Sequence, residues 1–141
     1  MKIIDAKDLI VGRMANQVAK LALAGEKVNI INCEKAVITG TRKNILAKIK
    51  HKRDIGDPYK GPFFPRMPDR LVRRMIRGML PWKKARGREA FKRVMCYIGV
   101  PEKFANEKIE TIEAADYSRL KTAKYLRVKD ISIMLGAKWM Q

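Results

Sequence analysis

Four arginines repeat along one stretch of the chain at the spacing of a single helix face. Arg70, Arg73, Arg74 and Arg77 lie three or four residues apart, and such residues are neighbours on a helix with 3.6 residues per turn. Asp69 is the only acidic residue between positions 68 and 79. Adjacent guanidinium groups repel one another, whereas each of them can bind phosphate oxygens in two-point fashion. The stretch therefore predicts a helix face that binds a polyanion.

The same stretch carries an apolar stripe. Its members have the period of a buried helix face and are Leu71, Val72, Met75, Ile76 and Met79. Pro68 suits a first helical turn, where its missing N–H group has no partner to lose. We therefore expect a helix over residues 68–79 with this stripe in the core, and we expect Leu80 to be buried beside it.

The positive charge of the chain is concentrated in its middle third. Of a formal net charge of +18 over 141 residues, residues 42–93 carry 18 basic and 4 acidic side chains, a net charge of +14. Residues 1–41 and 94–141 each carry a net charge of only +2. Solubility alone does not require such segregation. This basic middle (residues 42–93) therefore indicates a dedicated surface for nucleic acid, an anionic membrane or an acidic protein.

Three successive elements supply the basic middle: a predicted helix at 42–53, the helix at 68–79 and a turn at 82–88. Between the helices, a proline-rich excursion (residues 54–68) contains four of the six prolines. The predicted anion-binding residues are Arg42, Lys43, Lys48, Lys50, Lys52, Arg53, Lys60, Arg66, Arg70, Arg73, Arg74, Arg77, Trp82, Lys83, Lys84, Arg86 and Arg88. Any one of these elements alone is equally well explained as a solvated basic face, but their joint occurrence favours binding.

Folded RNA is the nucleic acid that best suits this pattern. No helix-turn-helix, zinc-finger or basic-zipper pattern is present, and RNA is read largely by shape and backbone. Membrane binding is the less favoured hypothesis, because it would require bulky apolar residues at the surface, and these residues are needed for a core. The aromatic side chains of Phe63, Phe64 and Trp82 either stack on bases or pack in the core. Arg70, near the helix start, either binds phosphate or holds the excursion in place.

Catalysis, metal binding and cofactor binding find no support in the sequence. The single histidine, His51, lies in a basic run, so neither a Cys/His zinc site nor a histidine-based acid–base pair can form. No phosphate-binding glycine loop is present. Cys33 and Cys96 are predicted to be buried thiols rather than a disulfide. With no signal peptide and no apolar run long enough for a membrane span, we expect a soluble, cytosolic protein.

The apolar patterns predict one α/β domain over residues 1–141 with a largely parallel sheet. The predicted strands are 2–4, 28–31, 36–39 and 125–128. Besides the helices already given, we expect helices at 12–24 and 88–98 and a short one ending near 134–135. Thr41 and Asp130 are the expected caps of the second and last helices.

The run Ile76-Arg77-Gly78-Met79-Leu80-Pro81 is followed by basic residues and Gly87. This segment is similar to the signature segment of the universal ribosomal protein L13 family of the large subunit, which the chain therefore resembles. Colinear segments extend the likeness over essentially the whole chain and are residues 4–6, 12–15, 28–34, 38–40 and 133–139. The segment at 60–68 resembles the archaeal and eukaryotic branch, and the short C-terminal region favours an archaeal source.

The resemblance implies a three-layer α/β/α domain around a four-stranded, mainly parallel sheet. It implies a structural constituent of the large ribosomal subunit that binds large-subunit rRNA, supports assembly and has ribosomal proteins as neighbours. No enzymatic turnover, cofactor, membrane or small-molecule substrate is implied. The RNA-facing residues are then chiefly Arg73, Arg74, Arg77, Lys83, Lys84, Arg86 and Arg88. The competing hypothesis is an RNA-processing or RNA-modifying enzyme on an α/β scaffold, which requires a deep pocket lined by converging acids.

Overall fold

The computed structural model describes residues 1–139. Its helices are α1 (Val11–Leu23), α2 (Arg42–Asp54), α3 (Pro68–Met79), α4 (Ala85–Lys92) and α5 (Val128–Met134). Its strands are β1 (Lys2–Asp5), β2 (Val28–Ile31), β3 (Val37–Thr39), β4 (Val94–Cys96), β5 (Ile109–Glu110) and β6 (Tyr125–Arg127). Within this part of the chain, no helix is long and apolar enough to cross a membrane.

Four strands form one parallel sheet in the order β4-β2-β1-β5. Ile30 in β2 is paired with Ile4 in β1 on one side and with Cys96 in β4 on the other. Parallel neighbours require long crossover connections. Helix α1 supplies the connection from β1 to β2, and α2, α3 and α4 all lie in the connection from β2 to β4.

The sheet has apolar residues on both faces, so it is covered on both. In β1, Ile4 belongs to the main core with α1, α3 and α4, whereas Ile3 belongs to a second cluster. That second cluster contains Ile31 and Phe104, the latter from a short 3-10 helix over Glu102–Phe104. Helical segments thus lie on either side of the sheet, and the predicted three-layer α/β/α fold with a four-stranded parallel sheet is confirmed.

The helix predicted over residues 88–98 is present up to Lys92, but its second half is wrong. Helix α4 ends at Lys92 and the chain continues as strand β4. Val94 and Cys96 are buried while Met95 between them is 39% exposed, which is the alternation of a strand. Strand β4 pairs with β2 in the main sheet. The backbone hydrogen bonds of this pairing outweigh the local helical pattern.

The strand predicted at 36–39 exists as β3, but it does not join the main sheet. It forms a separate antiparallel ribbon with β6, in which Thr39 pairs with Tyr125. The fourth strand of the main sheet is β5, which the sequence did not indicate. It is only two residues long, and both are exposed at the sheet edge.

The two expected helix caps are only partly right. Thr41 occupies the N-cap position of α2, but its side chain makes no capping hydrogen bond. Asp130 lies inside α5, whose N-cap residue is Arg127. An acidic side chain in the first turn still interacts favourably with the helix dipole.

Both cysteines are free, buried thiols, as predicted. A hydrogen bond between the Cys33 and Cys96 side chains, followed by burial, raises the pKa of Cys33 well above its ordinary value. Cys33 therefore stays protonated at neutral pH and behaves as a small core residue.

Candidate nucleic-acid interface

Helix α3 lies at the centre of the basic middle and is fixed by its apolar face. Leu71, Val72 and Ile76 are at most 1% exposed, and the helix packs against α1 and β4. Two expectations for the stripe differ in outcome. Leu80 is buried at 5% exposure, as predicted, whereas Met79 at 45% is not a core residue. The helix ends at Met79, and the turn that follows directs the next residue inward.

The four arginines of α3 divide into two pairs. Arg70 and Arg74 are exposed, whereas Arg73 and Arg77 are half-buried. The Arg73 Nε donates to the carbonyl oxygen of Val94 at 3.1 Å. A charged donor to a backbone carbonyl is one of the stronger hydrogen bonds in proteins. Arg73 therefore joins α3 to the β4 edge of the sheet, besides carrying positive charge at the surface.

An aromatic pair holds the two half-buried arginines. The Arg73 guanidinium carbon lies 4.4 Å from the centre of the Phe91 ring, and that of Arg77 lies 4.6 Å from Trp82. Phe91 and Trp82 meet edge to face, with centroids 5.1 Å apart and planes at 88°. This arginine–aromatic cluster (Arg73, Phe91, Trp82 and Arg77) connects α3, the turn and α4. Trp82 is nevertheless 37% exposed, so it packs within this cluster and also leaves part of its surface accessible to a ligand.

Five arginines line one open groove of about 720 Å³, which we call the arginine groove, and they are Arg66, Arg70, Arg73, Arg74 and Arg77. Phe63, 73% exposed, lies in the same groove. The groove wall is tied to the body, because the carbonyl oxygen of Arg66 accepts a hydrogen bond of 2.7 Å from Ser132 Oγ in α5. The structure thus places Arg70 in a cationic groove, and the Ser132 side chain anchors the excursion at Arg66.

A second groove, of about 600 Å³, connects α3 with α2. Lys52 and Arg74 are its cations, and Ile55, Phe63 and Met79 are among its apolar walls. No carboxylate lines either groove within the described residues. An acid–base active site of the kind that the enzyme hypothesis requires is therefore not present in these grooves.

The remaining predicted residues are spread around these grooves. Arg53 is half-buried, and the others are exposed: Arg42, Lys43, Lys48, Lys50, Lys52, Lys60, Lys83, Lys84, Arg86 and Arg88. Arg53 donates to Asp54 at 2.8 Å, and this hydrogen bond lowers the pKa of the Asp54 carboxyl. In residues 1–139, Arg53 is the single cation of the basic middle that forms an ion pair. The turn predicted at 82–88 is helical from Ala85 onward, so Arg86 and Arg88 lie on α4. The structure does not bring Arg42, Lys43, Lys83, Lys84, Arg86 or Arg88 into the arginine groove.

Because charge was averaged over long segments of the chain, the sequence did not reveal one further basic stretch. Residues 117–129 contain five basic and no acidic side chains. The six acids elsewhere in residues 94–141 hid this charge in the average of +2. A running window of about a dozen residues would have found it.

Comparison with known proteins agrees with the resemblance. A family model described as ribosomal protein L13 matches residues 1–103. Three proteins named large ribosomal subunit protein uL13 are similar along almost the whole chain. The one from Methanopyrus kandleri is 48% identical over 136 residues, covering 95% of this chain and 86% of that protein. The one from Haloarcula marismortui is 46% identical, covering 96% and 90%. The one from Methanococcoides burtonii is 42% identical, covering 99% and 100%.

Proposed function

The chain belongs to the ribosomal protein L13 family, and we propose that it is a structural constituent of the large ribosomal subunit that binds large-subunit rRNA through its basic middle. The family is one of ribosomal structural proteins, so the chain is not an enzyme. The names of its relatives support a place in a ribonucleoprotein of the translation machinery.

The observation that carries the RNA-binding proposal is a cationic groove without internal neutralisation. Of the 18 basic side chains in residues 42–93, Arg53 alone has a carboxylate within 4.0 Å in the described part of the chain. Like charges held close together on a folded protein are stabilised when phosphates neutralise them, and the counterions condensed on the nucleic acid are released. Arg66, Arg70 and Arg74 carry the forked donors that suit phosphate oxygens. Phe63 provides an exposed ring on which an unpaired base can stack.

A single rigid domain with charges on several elements suits an architectural role. The cations on α2, α3, the following turn and α4 belong to one packed body, because all three helices contribute side chains to the main core and Ser132 holds the excursion. RNA segments that bind these elements are thereby held at fixed distances from one another. We infer a role in subunit assembly, with large-subunit rRNA and neighbouring ribosomal proteins as partners and the cytoplasmic ribosome as location.

A salt series tests the proposal. The wild-type protein is expected to bind large-subunit rRNA with an affinity that falls steeply as KCl rises, because each neutralised phosphate contributes about 0.7–0.9 to the logarithmic slope. The combined change of Arg66, Arg70 and Arg74 to Gln should lower that slope by about 2 to 3. Filter binding between about 50 and 200 mM KCl measures both.

The matched control changes three exposed lysines outside the basic middle, Lys20, Lys103 and Lys108, to Gln. It removes the same charge but should leave the slope within about half a unit of wild type. A flat salt response of the wild-type protein contradicts RNA binding. Equal losses in the two triple variants contradict the arginine groove as the binding surface.

A further inference from the structure

Two tyrosines outside the basic middle meet on the surface. The rings of Tyr117 and Tyr125 have centroids 5.8 Å apart and planes tilted by 60°. The two residues remain 40% and 36% exposed. An aromatic pair that serves only packing is normally buried, since burial is the source of its stabilisation. Here more than a third of each residue is left in contact with solvent.

The backbone holds both tyrosines in place independently. The Tyr117 N–H donates to the carbonyl oxygen of Asp8 at 3.0 Å, and the Asp116 carboxylate caps the 3-10 helix over Tyr117–Arg119 by accepting from the Ser118 N–H at 2.8 Å. Tyr125 is held in β6 by its pairing with Thr39. Because both backbones are fixed, little conformational entropy is lost when a flat ligand packs against the rings.

The segment around the tyrosines keeps a surplus of positive charge. Arg127 is neutralised by Asp8, whose carboxylate oxygen lies 3.1 Å from its guanidinium nitrogen. Arg119, Lys121 and Lys124 are exposed, and none of them has a carboxylate within 4.0 Å among residues 1–139. The segment that holds the two rings thus contains three cations that have no carboxylate partner among the described residues.

We propose that these five residues, Tyr117, Arg119, Lys121, Lys124 and Tyr125, form a second RNA-binding site, the tyrosine site, for a single-stranded segment. An unpaired base stacks on the tyrosine pair, and the phosphates on either side of it bind the three cations. An acidic peptide would use the cations but would have no need of exposed flat rings, whereas every base has a π-face. This inference rests on the proposed function, since it assigns a further contact with the same class of partner.

The tyrosine site is adjacent to the start of α2. The Gly40 N–H donates to the carbonyl oxygen of Lys124 at 2.9 Å, and Gly40 is followed after one residue by Arg42 and Lys43, which are exposed. These two cations lie outside the arginine groove. The tyrosine site gives them a neighbouring RNA segment to bind.

The test compares aromatic and aliphatic variants in two backgrounds. The probe is a fluorescently labelled, unstructured RNA of about 12 nucleotides, with binding followed by anisotropy. The backgrounds are the wild-type protein and the variant in which Arg66, Arg70 and Arg74 are Gln. In the second background, changing Tyr117 and Tyr125 to Ala is expected to weaken binding about tenfold or more. Changing both to Phe keeps the stacking surface, so binding should stay within about twofold.

A third variant tests the charges without altering the aromatic pair. Changing Arg119, Lys121 and Lys124 to Gln should lower the logarithmic salt slope by about 2, at about 0.7 per contact for a single strand. This variant also carries the test if the Ala variant loses its thermal unfolding transition. An unchanged slope overturns the tyrosine site, as does equal binding by the Ala and Phe variants.

The outcomes separate the two proposals. If the tyrosine variants bind as wild type while the arginine-groove variant loses affinity, the tyrosine site is overturned and the proposed function stands. If the wild-type protein binds no RNA at any salt concentration, the proposed function itself fails. If the tyrosines are needed for binding polyglutamate but not RNA, the site binds an acidic protein segment and the inference is overturned.

Discussion

Adjacent arginines on one helix have different physical roles. Arg73 is half-buried, donates to the Val94 carbonyl oxygen at 3.1 Å and lies over the Phe91 ring. Arg74 is exposed and lines both grooves of the interface. The sequence assigned both to RNA, because helical spacing places them on one charged side. Which of the two arginines also stabilises the fold depends on contact partners some twenty residues away in the sequence. A local sequence pattern does not identify such partners.

Changing Arg73 to Ala is expected to lower the free energy of unfolding by about 1–3 kcal/mol, since it removes a charged hydrogen bond and a cation–π contact. Changing Arg74 to Ala should alter stability by no more than about 0.5 kcal/mol while weakening RNA binding. Urea unfolding and rRNA binding, measured on both variants, check this. Equal stability of the two variants would show that the Val94 contact contributes nothing.

At the scale of elements, the approach of α4 to the preceding turn depends on Gly87. A Cβ atom added there would lie 2.2 Å from the carbonyl oxygen of Pro81, a backbone atom that cannot rotate away. Gly78, inside α3, has nothing within 4 Å of an added Cβ. The two glycines of the signature segment therefore have different reasons to be glycine. Gly87 is required by close packing, whereas in α3 the absence of a side chain only lowers helix propensity.

We expect Gly87→Ala to destabilise the protein by about 2 kcal/mol or more, because the turn or the helix has to move. It should also disturb the Trp82–Phe91 contact, and hence tryptophan fluorescence. Gly78→Ala is the matched control and should stabilise α3 by up to about 1 kcal/mol. Thermal unfolding monitored by circular dichroism measures both. A Gly87→Ala protein as stable as Gly78→Ala would contradict the close approach.

The elements that could be predicted are those with strong, uninterrupted periodicity. Helix α3 was predicted at its observed bounds because its apolar and basic stripes agree. The prediction for the region after α4 was wrong because the spacing of Phe91, Val94 and Met95 fits a continuous helix as well as a helix followed by a strand. Strand β5, with two exposed residues, has no periodic signal at all. The basic segments of the site were visible as charge, but the arginine–aromatic cluster and the tyrosine pair are tertiary and were not.

At the scale of the whole molecule, the protein combines a conventional core with a surface of one dominant sign. The net charge is +18, and the ion pairs within residues 1–139 are Lys2–Glu26, Arg53–Asp54 and Arg127–Asp8. Only one of these pairs lies in the basic middle. Repulsion among the remaining cations therefore opposes folding when no RNA is bound, and dissolved ions screen it.

Salt should consequently act in opposite directions on stability and on RNA binding. Between about 10 and 300 mM KCl the Debye length falls from about 30 Å to below 10 Å, so the unfolding midpoint of the free protein is expected to rise by about 3 °C or more. KCl is preferred to sulfate, which stabilises proteins generally by exclusion from their surface. A variant with Lys43, Lys48 and Lys50 changed to Gln should begin at a higher midpoint in low salt and gain less from KCl, because part of the repulsion is already gone. A midpoint that falls with KCl, or rises equally in both proteins, would mean that the basic middle imposes no strain on the free fold, and that its charge is tolerated without RNA.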